Sequence, residues 1–212
     1  MSEYLKALEE TCIMVGISSA VALLLGLPLG VLLVLTRSGG MTEKTGVYRV
    51  FDSIINLFRS LPFIILIIIF APLAQLLTGR SSGTLALTVP LSLASIPFSG
   101  RLMEDALREV PGGVLEAAAS MGTPLRRMIF NVLIPEALPS LIDAMTTTII
   151  NIIGYSAYAG VIGGGGLGDL AIRWGYYNRK PEALAVAVIL IVLLVHLVQG
   201  AGRALRRKVD HR

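Results

Sequence analysis

The residues of this chain that could do chemistry are few and scattered. Gly163 to Gly168 read Gly-Gly-Gly-Gly-Leu-Gly, a formal match to G-x-G-x-x-G. That spacing holds a dinucleotide pyrophosphate only where it joins a strand to a helix inside a βαβ unit. Here it follows a long apolar stretch, so a nucleotide site is rejected. The glycines instead permit a sharp reversal, or a close approach of helices, through backbone freedom at φ > 0. No G-x-x-x-x-G-K-[ST] occurs, so the chain cannot hydrolyse ATP by the P-loop route. One Cys and two His cannot build a zinc cluster. Cys12, preceded by Glu9, Glu10 and Thr11, reads as an apolar residue at a helix start rather than a lipidation site. His211 sits in a basic tail, and His196 stands in an apolar run with no carboxylate to relay a proton. A Ser-His hydrolase would need His196 beside Ser95 or Ser156, neither of which has a nucleophile context. No catalytic residue, metal or cofactor is expected.

Transport chemistry is better supplied. Thr148, Asn151, Tyr155 and Tyr158 fall at i, i+3, i+7 and i+10, a single helical stripe, with Ser156 beside it. Polar side chains at bilayer depth face a bundle interior or a water-filled path. The stripe is therefore either the lining of a substrate pathway or a set of interhelical hydrogen bonds, and spacing does not choose between them.

The elements that must position these residues are membrane helices. Of the 212 residues 54% are hydrophobic and 15% charged, with a mean hydropathy of +0.76; ordinary soluble domains carry about 25% charge. Five long runs lack Asp, Glu, Lys and Arg: 11 to 36, 60 to 79, 81 to 100, 144 to 168 and 183 to 202. Each reaches the ~20 residues needed to cross the hydrocarbon core. They predict an all-α polytopic membrane protein, a single transmembrane domain over 1–212 with spans at about 12–35, 60–77, 81–100, 144–162 and 183–202. The net charge of +4 and pI near 9.5 would suggest nucleic acid in a soluble chain. Counted by loop, however, Lys and Arg alternate thirteen on one side against five on the other. The positive-inside rule then places the N-terminus outside and the C-terminus in the cytoplasm. The basic pI reports topology, and the partners expected from it are lipid, not nucleic acid.

Within this frame Gly26-x-x-x-Gly30 would let a second helix approach closely. Ser38 to Val50 reads as a polar loop, and Pro62 falls in the first turn of the second span or kinks it. Thr78 to Gly83 is a tight connection, making spans two and three an antiparallel hairpin. Residues 101–143 are too charged for the membrane and predict a cytoplasmic element. Val114, Leu115, Ala118 and Ala119 form one face of a short helix that stops at Gly122. Thr123 then caps a second helix with Pro124 at its first position, ended by Pro135.

This segment carries a resemblance. Glu116-Ala117-Ala118, three residues, Gly122, eleven residues and Ile134-Pro135 match the E-A-A loop of inner-membrane ABC importer permeases, with Leu133-Ile134-Pro135 in place of the usual I-x-L-P. The chain resembles most closely the methionine-importer permease subfamily. Phe58-Arg59-Ser60-Leu61-Pro62-Phe63 is similar to its F-R-S-[IL]-P-F, and Gly154-Tyr155-Ser156-Ala157 before the glycine run is similar to its fourth-span signature. The resemblance implies that Glu116, Ala117, Ala118, Met121, Gly122 and Thr123 dock into a cleft of a separate ATP-binding subunit. It also implies a homodimer with the pathway on its two-fold axis, two such ATPase subunits, an extracytoplasmic substrate-binding lipoprotein, and residence in the bacterial inner membrane. Two small alanines would suit a cleft, Glu116 could make a charge-assisted hydrogen bond, and a side chain at Gly122 would obstruct the turn.

Overall fold

The structure, a computed structural model, describes residues 2–210; His211 lies outside them. Among the described residues the chain is helical, with no strand. The helices are α1 (Ser2–Thr36), α2 (Thr45–Ser60), α3 (Phe63–Thr78), α4 (Thr84–Arg108) and α5 (Gly112–Ser120). After these, α6 (Leu125–Arg127) continues through a π-helical segment, Met128–Leu133, into α7 (Ile134–Glu136). The chain then forms α8 (Leu138–Ala159), a π-helical segment Gly160–Gly164, α9 (Gly166–Asp169), another π-helical segment Leu170–Tyr177, and α10 (Pro181–Val209).

Four of these, α1, α4, α8 with its extension to Gly164, and α10, are long and apolar enough to cross a bilayer. The bent pair α2 and α3 brings the number of candidate crossings to five. The expected polar loop from Ser38 to Val50 is corrected here, because α2 begins at Thr45. Tyr48, Asp52 and Ile55 turn toward the bundle, while Val47, Val50, Ile54 and Leu57 form a separate exposed apolar stripe. The second span is corrected likewise. Ser60 belongs to α2, and the axis turns by 108° before α3. A proline disfavours helical dihedrals in the residue before it; Leu61 is extended at φ −85°, ψ 136° ahead of Pro62.

The third and fourth spans also extend beyond their charge-free runs. Residues 101–108 complete α4 and 138–143 open α8, so only the part between them stands apart from the long helices. Pro135 does not end its helix. The π-helical turn shifts the ladder by one residue, so that the Ile134 N–H is donated to the Ile129 carbonyl, and helical backbone continues past the proline.

Packing centres on α4, the most enclosed of the long helices. Gly26 and Gly30 of α1 lie against it, as their spacing requires. A Cβ on Gly30 would stand 2.6 Å from Met103 Cβ and 2.8 Å from the Glu104 amide nitrogen, and one on Gly26 would overlap Ser99. From the opposite side, Gly100 admits Leu29. One apolar core joins α1, α4 and α8 through Met14, Leu87, Leu91 and Ile152. A second gathers Val34, Met103, Leu107, Leu133 and Leu141, reaching from α4 into the segment that follows α5.

Replacing Gly30 by Leu is expected to separate α1 from α4, at a cost exceeding the ~1–3 kcal/mol of ordinary overpacking because backbone is the obstacle. The variant should lose monodisperse protein after detergent extraction. Gly16→Leu, where nothing lies within 4 Å of a new Cβ, should behave as wild type; equal yields for the two variants would contradict this packing.

Candidate functional site

The E-A-A segment is α5 and the turn beyond it. Gly122 has φ +74°, and the turn is a complete Schellman motif. The Thr123 N–H is donated to the Ala118 carbonyl at 3.3 Å and the Gly122 N–H to the Ala119 carbonyl at 2.9 Å. Nothing lies within 4 Å of a Cβ built on Gly122, so glycine is demanded by the left-handed backbone and not by crowding. Thr123 makes no side-chain cap. Pro124, extended at ψ 149°, takes the cap position, and α6 starts one residue later than expected.

The face read from the sequence is rotated. Ala118 is buried and Leu115 half-buried, whereas Val114 and Ala119 are exposed. Ala118 thus packs inward, against the rest of the chain. The outward surface is Glu116, Ala117 and Gly122, with Met121 at the tip, 79% exposed. Behind it Leu115 packs on the apolar core that Leu133 and Ala137 form with Met103 and Leu107, which connects α5 to α4.

The polar stripe of α8 divides. Thr148 and Ser156 are buried, and their hydroxyls are donated to carbonyls of their own helix, Ala144 at 2.9 Å and Ile153 at 2.7 Å. They neither line an open face nor bond across helices. Asn151 and Tyr155 are half-buried and Tyr158 is exposed, on an edge that continues to the exposed Thr147 and Gly154. The Tyr155 ring stacks on Phe63, with centroids 4.0 Å apart and planes within 4°. Two motifs 92 residues apart in sequence therefore meet, and with Phe58, Arg59 and Phe98 they line a cavity of about 230 Å³. His196 is exposed on α10, its Nδ1 2.8 Å from the Val192 carbonyl, whereas Ser95 and Ser156 are buried. No Ser-His pair forms among the described residues.

Two arrangements between helices had no signal in the sequence: an ion cluster on α4 and the capping of α9 from α1. On α4, Arg101 donates to Glu104 Oε2 at 2.6 Å and to Asp52 of α2. The Tyr48 hydroxyl of α2 reaches Glu104 Oε1 at 3.3 Å. Glu104 is fully buried. Its spacing of i, i+3 from Arg101 marks only the pair within α4, and a bent amphipathic helix had to bring Asp52 and Tyr48 to it. At the other end, the glycine run makes its reversal with φ of +92°, +75° and +79° at Gly163, Gly165 and Gly166. The first N–H groups of α9 are capped from α1: Gly166 donates to Glu10 Oε2 at 2.7 Å and Leu167 to Thr11 Oγ1 at 2.8 Å. Lys6, Glu10, Asp169, Arg173 and Trp174 line a cavity of about 350 Å³ beside it.

Apolar crossings that enclose polar and aromatic side chains, with a rigid helix and turn held outside them, define a polytopic membrane transport subunit. Among the described residues no group of His, Cys, Asp and Glu could hold a metal. The family model of binding-protein-dependent transport system inner membrane components matches residues 23–211, and the chain belongs to that family. It is similar to the probable D-methionine transport system permease protein of Vibrio cholerae, 44% identical over 98% of this chain and 92% of that one. The methionine import system permease protein of Bacillus subtilis is 42% identical over 85% of this chain and 82% of its own length. A solved chain of the MetNI methionine ABC transporter in an inward-facing conformation superposes with a TM-score of 0.97 at 39% identity, covering 100% of this chain and 98% of that one. An amino acid ABC transporter with histidines shares the fold, at a TM-score of 0.79 and 18% identity over 98% of this chain and 94% of that one.

Arg101→Met is expected to destabilise the protein by about 3–5 kcal/mol, since it leaves the carboxylate of Glu104 buried without its counter-charge. Arg101→Met combined with Glu104→Leu should recover most of the lost thermal stability. A double variant as unstable as the single one would show that the pair itself holds α2 in place.

Proposed function

We propose that this chain is the membrane-spanning permease subunit of an ATP-driven methionine importer in the bacterial inner membrane. It works as a homodimer above two copies of a separate ATP-binding subunit, and receives substrate from an extracytoplasmic substrate-binding lipoprotein. The chain is a transport subunit and not an enzyme; ATP hydrolysis belongs to the partner. The N-terminus lies outside and the C-terminus in the cytoplasm, as the loop charges favour. The observation that carries the reading is α5 with its turn: exposed Glu116 and Met121 on a short helix closed by a Schellman motif, with Leu115 seated on the apolar core that includes Met103 and Leu107 of α4. The methionine transport named for the similar permeases of Vibrio cholerae and Bacillus subtilis supports the substrate.

Coupling follows from this geometry. Glu116, Ala117, Met121, Gly122 and Thr123 meet the ATPase, while Ala118 holds the helix onto the permease. When the ATPase subunits close on ATP they draw the two α5 helices together. Because Leu115 and Leu133 share a core with Met103 and Leu107, α4 follows as a rigid body instead of absorbing the motion in a loop. Asn151, Tyr155 and Tyr158, with Phe63 stacked behind Tyr155, form the pathway wall that this movement opens to one side or the other.

Three measurements test the proposal. Cells carrying the gene should take up labelled methionine at low external concentration, with unlabelled methionine the best competitor; unchanged uptake on deletion would assign the permease to another small solute. Gly122→Arg should reach the membrane yet lose ATP-driven uptake, and Gly122→Ala should be milder, limited to the ~1–2 kcal/mol of a left-handed L-residue. Normal uptake in Gly122→Arg would remove α5 from the coupling role. Tyr155→Leu should lower transport about tenfold, equivalent to ~1.4 kcal/mol, with assembly intact, while Ser156→Ala should transport normally. Loss of folded protein in Tyr155→Leu would make that side chain structural.

A further inference from the structure

The C-terminal helix α10 presents a cationic surface that neither coupling nor the pathway uses. Arg203, Arg206, Arg207 and Lys208 are all exposed there, but they do not point the same way. Arg206 is turned toward α8, where it is bound to Asp143. Gly202 faces the same neighbour, close enough that a Cβ would meet Thr146. Arg203 and Arg207 lie at i+14 and i+18 from Ile189, on the stripe that also carries Leu193 and His196. All five residues are exposed, opposite the buried Ala183 and Ala187. No carboxylate pairs with Arg203 or Arg207 among the described residues.

Depth follows from helix geometry. Residues 183 to 202 contain no charged side chain, and twenty residues rise about 30 Å, the thickness of the hydrocarbon core. Arg203 is the first ionisable residue beyond this run, and Arg207 is one turn further on the same face. The apolar face that meets acyl chains therefore continues directly into two unneutralised guanidinium groups at the level of lipid phosphates. A shallow groove of about 220 Å³ between α8 and α10 has both Gln199 and Arg203 in its lining. Thr146 and Thr147 in that groove donate their hydroxyl protons to their own helix, at 2.7 and 2.8 Å. Its one carboxylate, Asp143, is held by Arg206.

We propose that Arg203 and Arg207, with Gln199 beside them, bind the phosphate headgroup of an anionic phospholipid whose acyl chains lie along the Ile189, Leu193 and His196 face of α10. The planar guanidinium matches two phosphate oxygens at once, and an unpaired Arg at headgroup depth draws anionic lipid in preference to zwitterionic. Either leaflet would serve, so the site depends on the chain spanning a bilayer and not on which solute it carries.

The test uses the permease purified with its ATPase subunit and reconstituted into nanodiscs containing phosphatidylglycerol and phosphatidylcholine. Bound lipid is counted by native mass spectrometry after mild delipidation. Wild type should retain phosphatidylglycerol over phosphatidylcholine by roughly tenfold, as two surface cations allow. Arg203→Gln/Arg207→Gln should lose that preference while the complex keeps its size and ATPase activity. Arg126→Gln/Arg127→Gln, which removes two cations elsewhere, should keep it. The proposal is overturned if wild type shows no preference, if the Arg203/Arg207 variant retains it, or if that variant instead releases the ATPase subunit, which would make the cations a protein contact.

Discussion

Helices in lipid gain nothing from burying apolar surface against each other, because acyl chains are as apolar as leucine. What holds this bundle is the close approach of α1 to α4, where Gly26 and Gly30 bring the two backbones together against Ser99, Met103 and Glu104. Dispersion falls steeply with distance, so the absence of two side chains converts a loose crossing into a continuous interface. The other elements are arranged around that pair. Through Met14, Leu87, Leu91 and Ile152 the same contact orients α8, and α10 is left at the edge with most of its surface exposed.

The second constraint is that polar groups must be satisfied without water. Along α8 the chain meets it locally, whereas the buried hydroxyls of Ser19, Ser95 and Ser99 on α1 and α4 have no hydrogen-bond partner among the described residues. Thr146, Thr147, Thr148 and Ser156 all donate to carbonyls three or four residues back. Where a helix begins or a charge is enclosed, the solution becomes long-range: Glu10 and Thr11 cap α9, and Asp52 and Tyr48 complete the environment of Arg101 and Glu104. These two clusters join segments that apolar packing alone would leave free to slide, one at each end of the bundle.

Rigidity then becomes function at α5. A helix closed by a Schellman motif and seated through Leu115 on the core of Leu133 and Met103 transmits a displacement, whereas a solvated linker of the same length would dissipate it. The π-helical turn before Pro135 contributes to the same end. By carrying the helix past a residue that offers no N–H, it extends the segment after α5 to Glu136, one residue short of α8.

Four of the apolar crossings and the location of the E-A-A turn were legible in the sequence, because each rests on a local property: a run long enough for the bilayer, or a glycine at a helix end. Gly26 and Gly30 were legible as a contact but not in their partner. The rotation of α5, which buries Ala118 and exposes Met121, could not be read, since on so short a helix the apolar face is chosen by what lies beneath it. Nor could the division of the α8 stripe, because a threonine bonded to its own helix and one facing a path have the same spacing. The meeting of Phe63 with Tyr155, and of Asp52 with Arg101, needed α2 to turn by 108° at Leu61 and Pro62. A proline announces that a helix breaks, but the direction it then takes is decided by the tertiary contacts that the next segment can satisfy.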